Sequence, residues 1–308
     1  MIYIFLADIN HLMNKNKKIL VTGGAGFVGS NLIKLLLQKT RFNILSIDNY
    51  SSGTRFNHIS NKRVKYIRGN TKDILKYIKT PRDISVVFHF GEFARIYQSF
   101  LKMNECIESN SIGTNSIINF CLKNKIKLVY SATSASLGNN GNDKNLSPYA
   151  FSKAKNLELL ENLKKWFGFK YEIIYFYNVY GPNQICKGQM STVIGIFEDH
   201  FKRKKPLPVV LPGKQTRRFT HVDDTINICY LAWKKNLCRH YSISNKKSYS
   251  IIKVAQMFSS KIKFLPSRAG ERYKSSLATR NLSNKIYKYY GKINLKNYIK
   301  NFTKNNSN

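Results

Sequence analysis

From Lys17 onward, short apolar runs rich in β-branched residues alternate with longer stretches whose apolar residues recur at helical spacing. The runs Lys18–Thr22, Asn43–Ile47, Val64–Ile67, Ser85–His89, Lys127–Ser131 and Tyr171–Phe176 predict strands. They are apolar almost throughout, as strands covered on both faces are. Between them, Phe27–Lys39, Asn104–Lys123 and Tyr149–Phe167 predict helices. Such alternation predicts the α/β class, a doubly wound parallel sheet over residues 17–177. After about Asn178 the texture changes. Pro182, Pro206, Pro208 and Pro212, with Gly181, Gly188 and Gly213, cut the chain into short pieces. Residues 178–303 are therefore expected to form mainly a smaller second domain, with Arg239–Ile243 returning a strand to the sheet. Residues 1–16 are expected to be a disordered extension and 304–308 a frayed polar tail. Met13 is expected to be the true start of the chain.

Charge changes this picture less than it first suggests. The chain carries 52 Lys+Arg against 16 Asp+Glu, a formal net charge of +36 over 308 residues. A balance of that kind suits a nucleic-acid partner. Here, however, lysines are scattered through every segment, and the densest run, Lys202–Lys205, is four residues long. Solvated basic faces are the better reading, and they would still draw in an anionic small substrate. The five cysteines (Cys106, Cys121, Cys186, Cys229 and Cys238) are odd in number and lack C-x-x-C spacing. That argues against a disulfide framework or a structural metal and for a reducing, cytoplasmic setting. No apolar run approaches the length of a membrane span, and Ile2–Leu6 lacks the basic lead of a signal peptide.

The segment from Ile19 to Gly29 runs from an apolar strand straight into a helix, with Gly23, Gly26 and Gly29 spaced G-x-x-G-x-x-G. A dinucleotide site needs such glycines for a tight turn, for close approach of backbone to pyrophosphate, and for close helix packing. The phosphates then meet the free N–H groups of a helix N-terminus. Asp48 follows the second strand, about 20 residues past the last glycine, where a carboxylate binds ribose hydroxyls. It would repel a 2′-phosphate, which favours NAD over NADP; Arg55 keeps NADP open. The expected domain is thus of the Rossmann type.

Tyr149 and Lys153 stand four apart at the start of a predicted helix, and so on one helical face. A phenol normally titrates near about 10, too high for a base at neutral pH, and a nearby ammonium stabilises the phenolate. The pair follows a strand and the run Ser131–Ser136, which offers a hydroxyl to a substrate oxygen.

With these come further ordered motifs: TGGAGFVGS, DNYSSG, VVFH, NSIGTN, SPYAFSK, YNVYGP and RRFTHVDD. Over residues 17–300 the chain resembles the extended short-chain dehydrogenase/reductase family, the NAD-dependent nucleotide-sugar epimerases and dehydratases. The resemblance implies that Tyr149 is the general base, Thr133 its hydroxyl partner, and Lys153 the ammonium that also holds the nicotinamide ribose. It places Phe27, Val28, Asn49, Asn70, Thr71, Phe90, Asn110 and Tyr177 along the cofactor. It also implies that Asn178, Arg217 and Arg268 hold the diphosphate of a nucleoside-diphosphate sugar, and that the protein is a homodimer joined through Asn104–Lys123 and Tyr149–Phe167.

Three departures stand out. Thr133 is followed by Ser134 and Ala135 instead of the Asp-Glu pair of 4,6-dehydratases, which disfavours dehydration by that route. Gly91-Glu92-Phe93-Ala94-Arg95 replaces a loop of small residues, so Arg95 is expected to face a substrate phosphate. Arg218 stands where an Asp is common. The leading expectation is 4-epimerisation through a 4-keto sugar. Open alternatives are a C4-dehydrogenase, reductase or dehydratase of the same family, and a non-catalytic nucleotide- or RNA-binding protein.

Overall fold

The computed structural model describes residues 17–137, 143–268 and 286–306, so the expected extension at 1–16 lies outside the described residues. The centre is an eight-stranded sheet. Its strands are β1 (Lys18–Thr22), β2 (Asn43–Asp48), β3 (Val64–Arg68), β4 (Ile84–His89), β5 (Lys127–Thr133), β6 (Tyr171–Phe176), β8 (His240–Ser244) and β10 (Ile286–Tyr290). All pairings are parallel, in the order β10-β8-β6-β5-β4-β1-β2-β3. Strand order reverses between β1 and β4, and in open α/β sheets the crevice beyond such a switch point is where ligands bind. The six strands expected from sequence are present. β2 and β5 run further than expected, which puts Asp48 and Thr133 at strand ends facing that crevice.

Both sheet faces are covered by apolar side chains. One core joins Leu20, Val87, Leu128 and Ile173 to α4 (Thr114–Lys123) and α5 (Pro148–Phe167). The other joins Ile19, Val21, Phe88 and Val129 to α1 (Phe27–Lys39) and α7 (Val222–Lys235). Local chemistry sets the ends of α5. Ser147 caps it, accepting from Ala150 N at 3.1 Å, Pro148 opens it, and Gly168 closes it at φ +62°. A serine cap is worth about 1 kcal/mol, and a glycine takes the left-handed conformation without steric cost.

The expected single helix over Asn104–Lys123 is broken. A short helix, α2 (Ile96–Leu101), is followed by another, α3 (Met103–Ile107), which passes into a wide-turned π segment, Glu108–Gly113, before α4 begins. The wide turns bring the Asn110 side chain against the loop after β4, where its Oδ1 accepts from Phe93 N at 2.7 Å and its Nδ2 donates to Phe93 O at 3.1 Å. Such turns recur at functional sites.

A third, separate core lies in the C-terminal region. It packs Tyr180, Phe219 and Phe258 with α6 (Val193–Lys202), α8 (Ile251–Gln256) and α9 (Leu295–Asn305) around the strand pair β7 (Leu207–Val210) and β9 (Ile262–Leu265). α9 continues to Asn305, so the first two residues of the expected frayed tail are helical. The buried Lys127–Glu172 pair (2.8 Å) stitches β5 to β6, and Glu172 also accepts from the backbone of Cys238 and Arg239, fixing where the chain re-enters the sheet.

Candidate active site

A cavity of about 590 Å³ opens over the switch point, walled on one side by the ends of β1, β2, β4 and β5 and on the other by Ile185, residues 189–194, Arg217 and Phe219. Its floor is the glycine turn. Gly23 (φ +70°) holds a conformation that side chains rarely adopt, and its N–H donates to Ile47 O at 2.8 Å. A methyl on Gly29 would sit 2.1 Å from Gly23 O, whereas one on Gly26 would meet nothing closer than 3.1 Å. The turn is therefore cut to backbone thickness where α1 crosses it.

Asp48 stands beside this turn. Its carboxylate accepts from Ala25 N (2.9 Å) and Tyr50 N (2.8 Å), so it braces the glycine turn as well as lining the cavity. Burial raises its pKa above the ordinary aspartate value, against the pull of those backbone bonds. Beyond it, Asn49 Nδ2 donates to Asn70 Oδ1 at 2.9 Å, so one acceptor site of Asn70 is already in use. Phe27, Val28, Gly29, Asn49, Asn70, Thr71 and Phe90 all line the cavity.

At the other end are Thr133, Tyr149 and Lys153. Thr133 ends β5 and its Oγ1 accepts from Ala135 N at 3.1 Å, while the first two turns of α5 supply Tyr149 and Lys153. Next to them comes a residue to which sequence reasoning gave no role. Glu92 Oε2 is ion-paired with Lys153 Nζ, and the two side chains are 2% and 5% exposed. Its Oε1 accepts from Thr114 Oγ1 (2.9 Å) and Tyr130 OH (3.0 Å). Burial and the Glu92 charge hold the Tyr130 phenol well above its ordinary value, so it remains an O–H donor. The departure from the small-residue loop was visible in the sequence; its partner was not, because Lys153 lies 61 residues away.

Arg95, Asn178 and Arg217 also reach the cavity wall. The Arg95 guanidinium donates to Met190 O at 2.6 and 3.0 Å and to Ser191 O at 3.2 Å, latching the loop before α6 across the cavity mouth. Three expected site residues lie elsewhere. Asn110 is buried, its amide spent on Phe93 and on Ser152 Oγ at 3.3 Å. Tyr177 is buried in the core with Leu137 and Tyr175. Arg268 is exposed, with its guanidinium carbon 5.2 Å from the centre of the Tyr97 ring, a cation–π contact outside the lining. Arg218, unexplained from sequence, donates to the carbonyls of Asn245 and Lys246 and ties down the turn after β8.

The arrangement fits a dinucleotide: a glycine turn feeding a helix N-terminus, an acid at the end of β2, and a hydroxyl–phenol–ammonium group at the far end. Residues 19–244 match the NAD dependent epimerase/dehydratase family. The chain belongs to that family. It is an NAD-dependent enzyme of isomerase or lyase type with the family's Rossmann fold. It is 29% identical to a putative UDP-glucose 4-epimerase of Methanocaldococcus jannaschii, over 94% of this chain and 99% of that one. It is 26% identical to a dTDP-D-glucose 4,6-dehydratase of Dictyostelium discoideum, over 74% and 60% of the two chains. Among solved structures, a UDP-glucuronic acid 4-epimerase from Bacillus cereus, in complex with UDP-glucuronic acid and NAD, is 26% identical. It superposes with a TM-score of 0.79 over 94% of this chain and 99% of that one. No helix among the described residues is long and apolar enough to cross a membrane.

Proposed function

We propose that this family member epimerises a nucleoside-diphosphate sugar at C4. The observation that carries the reading is the convergence of Thr133, Tyr149 and Lys153 at one end of a cavity whose other end suits NAD, with Ser134 and Ala135 following Thr133. Neither of those residues can act as the carboxylate that takes the C5 proton or the carboxylic acid that protonates the departing C6 hydroxyl when water is eliminated across C5–C6. The reacting sugar end would lie against Tyr149 and Thr133, with Asn178 and Arg217 on its diphosphate, a role suited to a fixed guanidinium fork.

Bound NAD supplies a two-electron acceptor and donor for the hydrogen on C4. The Tyr149 oxygen takes the proton from the C4 hydroxyl, and Thr133 Oγ holds the same oxygen in place. Lys153 presents its ammonium from the next helical turn. Loss of the C4 hydrogen with its electron pair and of the hydroxyl proton leaves a 4-ketone. After the sugar turns over, the hydrogen and its electron pair return to C4 from the opposite face and the proton returns to the C4 oxygen. Tyr149 gives the proton back, so no net proton or electron leaves the site. Holding both half-reactions in one cavity contributes through positioning.

The test is incubation of the purified protein with UDP-, dTDP-, GDP- and ADP-hexoses without added oxidant or reductant. Interconversion of C4 epimers is expected, and Tyr149→Phe should abolish it while NAD stays bound. A product that accumulates only with stoichiometric added NAD would favour the dehydrogenase, and a 4-keto-6-deoxy product the dehydratase; either would overturn the proposal.

A further inference from the structure

Among the described residues, Glu92 is the acid paired with Lys153, and this scheme leaves it idle. Behind it runs a buried line of hydrogen bonds. The backbone N–H groups of Phe90 and Gly91 donate to Thr22 Oγ1 (3.1 and 3.0 Å). Thr22 Oγ1 lies 2.6 Å from His89 Nδ1, and His89 Nε2 lies 2.9 Å from Thr114 Oγ1. Burial pushes His89 down to about 4, so at neutral pH its ring carries a single N–H.

The directions then follow. Thr114 spends its proton on Glu92, so it must accept from His89 Nε2–H. His89 Nδ1 accepts in turn from Thr22. Tyr130, itself held by Asn156 Nδ2 at 3.1 Å, adds a second O–H to Glu92. Every donor points the same way, and the line ends on a carboxylate that only accepts.

On the other side, Lys153 has three N–H groups. One goes to Glu92 and one to Ser131 O, which leaves one for the cavity. Its ammonium also lies 4.7 Å from the centre of the Tyr130 ring. Glu92 thus does two things to Lys153: it fixes the direction of the remaining donor, and it cancels the charge.

We propose that Glu92 is a positioning residue of the cofactor site, placing a fixed negative charge behind Lys153 that favours the oxidised, cationic form of bound NAD over the neutral reduced form. The inference rests on the reading that Tyr149 and Lys153 mark the reacting end of the cofactor. Without Glu92, an uncompensated ammonium would repel a cationic ring at this end of the cavity, where the effective dielectric is about 20 instead of about 80. The neutral reduced ring would feel little. An enzyme that must return its cofactor to the oxidised state in every cycle gains from that bias.

The experiment measures the dissociation constants of NAD+ and NADH for the purified full chain, wild type and Glu92→Gln. The ratio Kd(NAD+)/Kd(NADH) is expected to rise about tenfold in Glu92→Gln, because the amide keeps the shape and loses the charge. An unchanged ratio, or equal weakening for both forms, would assign Glu92 a merely structural role and overturn the inference. Should Glu92→Gln fail to fold, Lys153→Met compared with Lys153→Met/Glu92→Gln gives the same reading without a stranded buried ammonium, and the double variant is again expected to show the higher ratio. The two proposals separate cleanly. A shifted ratio without epimerase activity sinks the C4 reading alone; epimerase activity with an unshifted ratio sinks this one alone.

Discussion

Gly26 and Gly29 stand three residues apart in one turn, yet adding a methyl group to each should break different things. At Gly29, inside α1, alanine is the better helix former by about 1 kcal/mol, so propensity alone predicts stabilisation. Against that, the new methyl would lie 2.1 Å from Gly23 O and 2.8 Å from Gly24 Cα, both backbone atoms. Neither can swing aside, since Gly23 is pinned through its N–H to Ile47 and through its carbonyl to Gly26 N. Forcing α1 off the turn is an overpacking of the kind that costs about 1–3 kcal/mol at milder contacts, so a net loss of about 2 kcal/mol is expected. At Gly26 the nearest atom would be 3.1 Å away and φ is −83°, which alanine accepts, so stability should move by less than about 1 kcal/mol. The methyl would instead intrude on the cavity floor, and NAD affinity should fall at least about tenfold, which is about 1.4 kcal/mol. Urea denaturation midpoints and NAD titrations on the two variants give a two-by-two outcome. Gly29→Ala with a wild-type midpoint, or Gly26→Ala with wild-type NAD affinity, would refute the division of labour.

Other consequences follow from buried groups and exposed faces. His89 is neutral in the fold, held at about 4 against 6.5 when unfolded; its contribution is complete above 6.5 and is lost as pH falls toward 4. The full span is worth roughly 3 kcal/mol. The midpoint of wild type should thus drop more steeply between pH 7.5 and 5 than that of His89→Gln, and parallel profiles would refute it. Asp48 is raised above the ordinary aspartate value, so NAD affinity should weaken on acidification while the pH is still above about 4. Titrations from pH 7 to 4 should show that weakening in wild type and not in Asp48→Asn. Ile112 and Phe151 are 54% and 45% exposed on the segments expected to join two copies. Light scattering should give a dimer for wild type and a monomer for Ile112→Lys/Phe151→Lys; a monomeric wild type would remove the expectation.

The first six strands were legible because each is a short, mostly apolar or β-branched run bounded by turns, and the glycine turn because at Gly29 only a glycine fits a crossing this close. Less was legible where one feature of the sequence serves two structures. The period of Asn104–Lys123 fits a regular helix, and nothing in a 3.6-residue repeat reports the wide turns at Glu108–Gly113, which exist to carry Asn110 to Phe93. α7 passed unnoticed among the prolines and glycines, although Val222, Ile226, Cys229 and Ala232 follow helical spacing, with Asp223 and Asp224 at its start and Lys234 and Lys235 at its end. In the site, Thr133, Tyr149 and Lys153 came together, whereas Arg268, Tyr177 and Asn110 did not join them. Their positions depend on partners in other segments, Tyr97 for the first, a packed core for the second, and Phe93 and Ser152 for the third. Glu92 was hidden for the same reason. A lone acid in a loop carries no sign of the lysine it will meet.

The route of the chain between the two lobes bears on how such an enzyme changes over evolution. After leaving the sheet at β6, the polypeptide builds part of the smaller core, returns as β8, leaves for β9, returns again as β10 and ends in α9 beside the smaller core. The smaller lobe is therefore embroidered onto the larger one and is not a bead on the same string. It cannot be excised, grafted or exchanged as a unit without unpicking an edge of the main sheet. A change of ligand preference would have to be made by altering loops such as 185–192 in place, with the eight-stranded frame left as it is.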